Sequence, residues 1–309
     1  MAEQTQASWA DVVRETETGG GDHAVRPGED TAGLIAAFPE LGSVTISTPE
    51  IPGPNGPVAG RLYLPAAPAS GVAFVWAHGG AYLWGDLEMP ESNWVGLALA
   101  ARGIPVLCLD YRKALHGVHH PVLSDDVLAG WTWAAEHADA LGVSADRLHL
   151  GGASAGANLA CGVALRLRDA GRPVPRSLVL CYPTMHSDLP EPSAELAAAL
   201  VASGQADPGF NALAREVNLH HVGTEAGMAD PYAFPANAAL GGLPPSFILN
   251  AEFDGLRASA DAFAVQLAAA GVPVRVEFEP GARHGHLNEP MTEVGQRSLA
   301  RIAGWLLGE

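Results

Sequence analysis

Short apolar, β-branched runs recur along the chain and alternate with longer stretches whose apolar positions fall at helical spacing. "SVTIST" from Ser43 and "VAGRLYLP" from Val58 flank the turn-rich "PEIPGPNGP" and predict a leading hairpin. "GVAFVWAHGG", "IPVLCLDYR", "RLHLGG", "RSLVLCYP", "PSFILNA" and "PVRVEFEP" then follow as six further strands. Helical segments lie between several of them. Ala160, Val163, Ala164 and Leu167 form one stripe, stopped by Gly171 and Pro173; Leu256, Ala260, Phe263 and Leu267 form another. A last helix runs through Ile302, Trp305 and Leu306. Strand-helix alternation of this kind predicts an α/β fold with a mostly parallel sheet and helices on both faces.

Two regions break the alternation. Residues 1–40 precede the first strand and are helix-prone, with a glycine joint at Gly19 to Gly21. Residues 185–239 carry "SAELAAALVASGQADPGFNALAREVNLHHVG". Both read as helical cap material over the strand ends, which divides the core into 41–184 and 240–309.

Composition narrows the function. The chain has 309 residues, 48% of them hydrophobic, enough to bury a large core. Its net charge of −17 argues against nucleic-acid or anionic-membrane partners. No apolar run is long enough for a bilayer, and the acidic start lacks the pattern of a signal peptide. Cys108, Cys161 and Cys181 lie in apolar segments and read as buried thiols in a reducing, cytoplasmic setting.

The chemistry centres on "RLHLGGASAGANLA", where Ser154 is flanked two positions away by Gly152 and Gly156. A strand turning sharply into a helix leaves no room for side chains at those two positions. It also presents the serine hydroxyl at the carboxyl end of the sheet, as in a Gly-x-Ser-x-Gly nucleophile elbow. A serine needs a base, an orienting acid and an oxyanion site. Asp254 follows the strand "PSFILNA" and His284 follows the last strand, so both fall on the same sheet edge as Ser154. The glycines of "AHGGAY" let main-chain amides approach a substrate. Gly80, Ala81 and Ala155 are the expected oxyanion donors, and His78 is expected to brace their loop. Tyr82, Leu83 and Trp84 are expected to line the substrate pocket.

At this point the chain resembles the α/β-hydrolases of the bacterial hormone-sensitive-lipase-like esterase family. "HGGAY", "LDYR", "GGASAGANLA", "DPYAFP", "LPPSFILNAEFDGLR" and "HGH" occur in that family's order over residues of about 70 to 290. The resemblance implies an eight-stranded sheet, a helical cap, and hydrolysis of esters with modest acyl groups. It places the family's Ser, Asp and His on Ser154, Asp254 and His284. It also implies pairing into homodimers through the last strand and helix, as many members do. Departures bear on substrate choice: Ala81 replaces a third glycine, Ala153 stands where an acidic residue is common, "KALHGVHH" follows "DYR", and His286 replaces an aromatic.

Rivals exist within the sequence. His286 competes with His284, and Glu252 with Asp254; the family motif favours His284, and the position after the strand favours Asp254. "HGVHH" at His116 to His120 lacks a matching carboxylate or cysteine cluster and reads as a polar loop, not a metal site. Asp125 and Asp126 read as caps at a helix start. The leading expectation is a serine carboxylesterase acting on short- to medium-chain esters of small molecules, with no cofactor and no metal. An amidase, formamidase or acyltransferase would share the triad. A non-catalytic receptor of the same fold would tend to lose the base, which this chain retains.

Overall fold

The sheet runs β1-β2-β4-β3-β5-β6-β7-β8, with β1 Thr45–Ser47, β2 Ala59–Leu64, β3 Ala73–Ala77, β4 Val106–Asp110, β5 Leu148–Ala153, β6 Leu178–Cys181, β7 Ser246–Phe253 and β8 Val274–Arg283. This structure is a computed structural model and describes residues 8–19, 29–66 and 70–308; Gly20 and Gly21 of the expected joint lie outside them. The leading hairpin is present: β1 and β2 pair antiparallel, β2 pairs antiparallel with β4, and every other pairing is parallel. β3, β5 and β6 are buried along their whole length, which explains why they read as continuous apolar runs rather than alternating ones.

Strand alternation divides the core. Phe74, Trp76, Val106 and Cys108 face one side and meet α2 Thr31–Ala37, α3 Pro90–Ala100 and α9 Glu293–Leu307. Val75, Ala77, Leu107 and Leu109 face the other and meet α4 Val122–Glu136, α5 Ala155–Asp169 and α8 Arg257–Ala269. α5 is buried on nearly every side, not on one stripe. Burying one leucine-sized side chain contributes roughly 1.5–3 kcal/mol, so these two layers dominate the stabilisation.

Between β6 and β7 the chain leaves the sheet and forms α6 Ala194–Ala202 and α7 Phe210–Val222. The first helix, α1 Trp9–Glu17, reaches α7 through the Trp9 and His220 rings, 6.5 Å apart. The "HGVHH" segment docks on the same helix. The His120 amide donates to the His221 carbonyl at 2.8 Å, and His119 Nδ1 donates to the His220 carbonyl at 2.8 Å. This segment is therefore a mooring for α7 rather than a free polar loop. Among the described residues no His, Cys, Asp or Glu cluster suits a metal ion.

Asp125 and Asp126 do not cap α4, which makes no side-chain cap bond. Asp125 still lies in the first turn, where its charge suits the positive end of the helix, and arginines hold both carboxylates. Asp125 pairs with Arg166 at 2.7 Å, while Asp126 accepts the Arg112 amide at 2.8 Å and contacts its guanidinium.

Candidate active site

Four strands deliver the site from their carboxyl ends, the edge where open α/β sheets bind ligands. At the end of β5, Ser154 has φ 52° and ψ −118°, a strained conformation for a residue with a side chain. Such strain costs on the order of 1–3 kcal/mol and persists only where the surroundings hold it. Here its amide is tied to the Cys181 carbonyl at 2.9 Å, and α5 starts at the next residue. The flanking glycines are required by space. A Cβ on Gly152 would lie 2.5 Å from the Ala77 carbonyl oxygen, and one on Gly156 would lie 2.2 Å from that same atom.

His284 follows β8 directly, and Asp254 follows β7. His284 Nε2 lies 3.0 Å from Ser154 Oγ, and His284 Nδ1 lies 2.6 Å from Asp254 Oδ2. In the neutral ring Nδ1–H donates to the carboxylate, leaving Nε2 to accept the serine proton. The Leu256 amide holds the other Asp254 oxygen at 2.9 Å. The cavity leaves the His284 side chain 40% exposed, yet the protein packs round the ring closely enough for desolvation to oppose its charged form. The Asp254 charge and hydrogen bond, with the Glu91 charge behind them, outweigh that effect and raise the His284 pKa above its ordinary 6.5.

The sequence rivals sit elsewhere. His286 Nδ1 donates to the Arg283 carbonyl at 3.1 Å and Nε2 accepts from Ser298 Oγ at 2.8 Å. Burial pushes its pKa down to about 4. The Glu252 carboxylate accepts the Gly281 amide at 2.7 Å.

The loop after β3 carries three consecutive positive φ values: 119° at Gly80, 49° at Ala81 and 65° at Tyr82. Among the described residues no protein acceptor engages the Gly80 or Ala81 amide. The Ala155 amide opens α5, where N–H groups lack intrahelical partners and the helix dipole favours negative charge. All three residues line the cavity beside Ser154. His78 Nδ1 donates to the Gly79 carbonyl at 2.6 Å. Its Nε2 accepts from Lys113 Nζ at 3.3 Å, and Lys113 is itself held by Asp110 at 2.6 Å. Burial, and the Lys113 charge after it, push His78 below its ordinary pKa, so the ring is neutral and braces the loop. Lys113 belongs to the "KALHG" departure noted above; its role was not apparent from the sequence. Glu91 and Asn288, also lining the cavity, were missed as well.

The cavity has a volume of about 530 Å³ and is mainly apolar. Trp84 and Met89 line one side, Phe210, Leu213 and Val217 of α7 another, and Leu256 a third. Among the described residues no lysine or arginine lines it. Tyr82 and Trp84 line the cavity, whereas Leu83 is not among the lining residues and packs in the core. The Gly80 carbonyl accepts both the Leu83 and Trp84 amides at 2.9 Å, and this tight turn sends neighbouring side chains in different directions.

The family profile of the alpha/beta hydrolase fold matches residues 74–288. Esterase LipI of Mycobacterium tuberculosis is 34% identical over 85% of this chain and 82% of its own length. Ethyl acetate hydrolase of Pseudomonas putida is 32% identical over the same shares, 85% and 82%. Among solved structures, the thermostable carboxylesterase EstE1, cloned from a metagenomic library, is 28% identical with a TM-score of 0.79, covering 98% of this chain and 97% of that one. The chain belongs to the α/β-hydrolase family, in its hormone-sensitive-lipase-like branch of esterases, and is an enzyme of that branch.

Proposed function

We propose that the protein is a serine carboxylesterase for short- to medium-chain esters. The observation that carries this reading is the unbroken line Asp254–His284–Ser154, with bonding distances of 2.6 and 3.0 Å, at the floor of an apolar cavity. Ser154 attacks the ester carbonyl while His284 Nε2 takes its proton. Asp254 orients the ring and stabilises the imidazolium. Gly80, Ala81 and Ala155 amides hold the developing oxyanion. The proton passes to the leaving alcohol, and water repeats the sequence on the acyl-enzyme. These steps use only side chains, amides and water, so they call for no cofactor.

Peptide mass mapping after reaction with a fluorophosphonate tests the nucleophile: the adduct is expected on Ser154. An adduct elsewhere, or none, contradicts the reading and points to a binding protein. Matched rates on a short aryl ester and its anilide separate esterase from amidase; the ester is expected to react much faster.

The stretches 1–40 and 185–239 are read as the cap over this site, supported among the described residues by α7 lining the cavity and by α1 reaching α7. A homodimer through β8 is supported by its place at the sheet edge, with Val276 and Phe278 exposed. A cytoplasmic location is supported by three free, buried cysteines. Light scattering of the purified chain tests the dimer. Among the described residues no helix is long and apolar enough to cross a membrane.

A further inference from the structure

Glu91 is the second residue of α3, 2% exposed, and its carboxylate lies behind the oxyanion loop. Oε2 accepts the Gly79 amide at 2.5 Å. Oε1 accepts the Tyr182 hydroxyl and, at 3.3 Å, the Asn288 side-chain amide. The Glu91 main chain adds two bonds: its amide donates to Asn288 Oδ1 at 3.1 Å, and its carbonyl accepts Trp76 Nε1 at 2.7 Å. One residue thus joins the end of β3, the loop carrying Gly80 and Ala81, the residue after β6, and the turn after β8.

Three of these partners, Gly79, Tyr182 and Asn288, stand next to the reacting groups or to the loop that carries them. Gly79 precedes the expected oxyanion donors, and a Cβ placed on it would lie 2.7 Å from Glu91 Oε2 and 3.1 Å from Ser154 Cβ. The carboxylate is therefore packed close behind the nucleophile. The Tyr182 ring meets His284 edge-on at 5.0 Å, and Tyr182 has φ 36°, a conformation that needs holding. The Asn288 amide donates to the Gly285 carbonyl at 2.8 Å, closing the turn that directly follows His284.

We propose that Glu91 is a positioning residue that locks the oxyanion loop and the His284 turn into one geometry. This inference rests on the hydrolytic reading of the site. A carboxylate suits the position because three donors converge on its two oxygens and no donor is needed in return. Glutamine keeps the shape but offers N–H₂ where one of those donors points. Its neutral amide also removes a negative charge that favours the protonated form of His284.

The test is Glu91→Gln, with pH–rate profiles on p-nitrophenyl butyrate and fluorophosphonate titration to count folded sites. Removing one oxyanion donor outright costs about 10²–10³ in kcat, and a displaced loop should cost roughly 30- to 300-fold. We expect kcat per titrated site to fall by that much, KM to move less than about threefold, and the acid limb to shift to lower pH. A kcat within threefold of wild type with an unmoved acid limb overturns the proposal. If Glu91→Gln does not fold, Glu91→Asp decides: the shorter carboxylate keeps the charge but not the reach. It is expected to lower kcat while leaving the acid limb in place, and wild-type kcat in that variant overturns the proposal. Ser154→Ala, run alongside, separates the two readings. If that variant stays active the hydrolytic reading fails; if it is inactive and Glu91→Gln is normal, only the positioning role fails.

Discussion

Tyr82 lies flat on His221, with ring centroids 3.8 Å apart and planes within 10°. The contact joins the loop after β3 to α7, so one wall of the cavity depends on the insertion between β6 and β7. His221 is fully buried, and among the described residues neither ring nitrogen has a hydrogen-bond partner. Burial, followed by the charges of His120, His119 and His220, holds its pKa well below 6.5, so it is a neutral slab here.

His221→Ala should therefore destabilise the protein by about 2–4 kcal/mol, the cost of an aromatic-sized void, and lower kcat/KM by loosening Tyr82. His221→Phe keeps the stack and removes two unpaired polar atoms, so its stability should lie within about 1 kcal/mol of wild type or above it. Urea midpoints of both variants check this. An alanine variant as stable as wild type contradicts the packing role.

Acid should destabilise the fold through buried neutral histidines. Burial, then the charges of Arg176 and Arg147, push His149 down to about 4 from an ordinary value of 6.5. His286, lowered mainly by burial, also titrates at about 4. The unfolded chain binds these protons more readily, so the stability is complete above pH 6.5 and is lost as pH falls from there towards 4. Each should lose about 2 kcal/mol between pH 7.5 and pH 5. His149→Gln should lose about 2 kcal/mol less over that interval, measured by urea unfolding at the two pH values.

The cavity volume and its apolar walls predict that acetyl to hexanoyl esters react well and that activity collapses by dodecanoyl. One methylene in a tight pocket is worth about 1–3 kcal/mol. Ala81 holds a positive φ that glycine adopts without strain. Ala81→Gly should relieve that strain and shift preference towards bulkier acyl or tertiary-alcohol esters. The measurement is kcat/KM across a p-nitrophenyl series for both proteins. A wild-type peak at long chains contradicts this reading of the pocket.

Legibility in the sequence followed the range of the interactions. The elbow was readable because its requirement is local: Ser154 can hold φ 52° only with glycines two positions away. The strands were readable because burial on both faces leaves plain apolar runs. The mooring of "HGVHH" was not, since His119 bonds a carbonyl 101 residues away and neither segment signals the other. Glu91 sits in "EMPESNWVG", where nothing marks a buried carboxylate, and its partners span Gly79 to Asn288. Leu83 was misread because adjacency to Tyr82 and Trp84 says nothing about direction within a tight turn. Asp125 and Asp126 have the composition of caps, but Arg166 and Arg112, brought in by the fold, take them instead.

The central claim is that Ser154 is the nucleophile, and the turnover of Ser154→Ala on p-nitrophenyl acetate tests it most directly. Loss of a triad nucleophile costs about a millionfold in kcat. The account predicts a fall of that order in a variant that still folds, since alanine fits the space the serine leaves. Retention of more than about a tenth of the wild-type rate, far above what a site without its nucleophile can sustain, would contradict it.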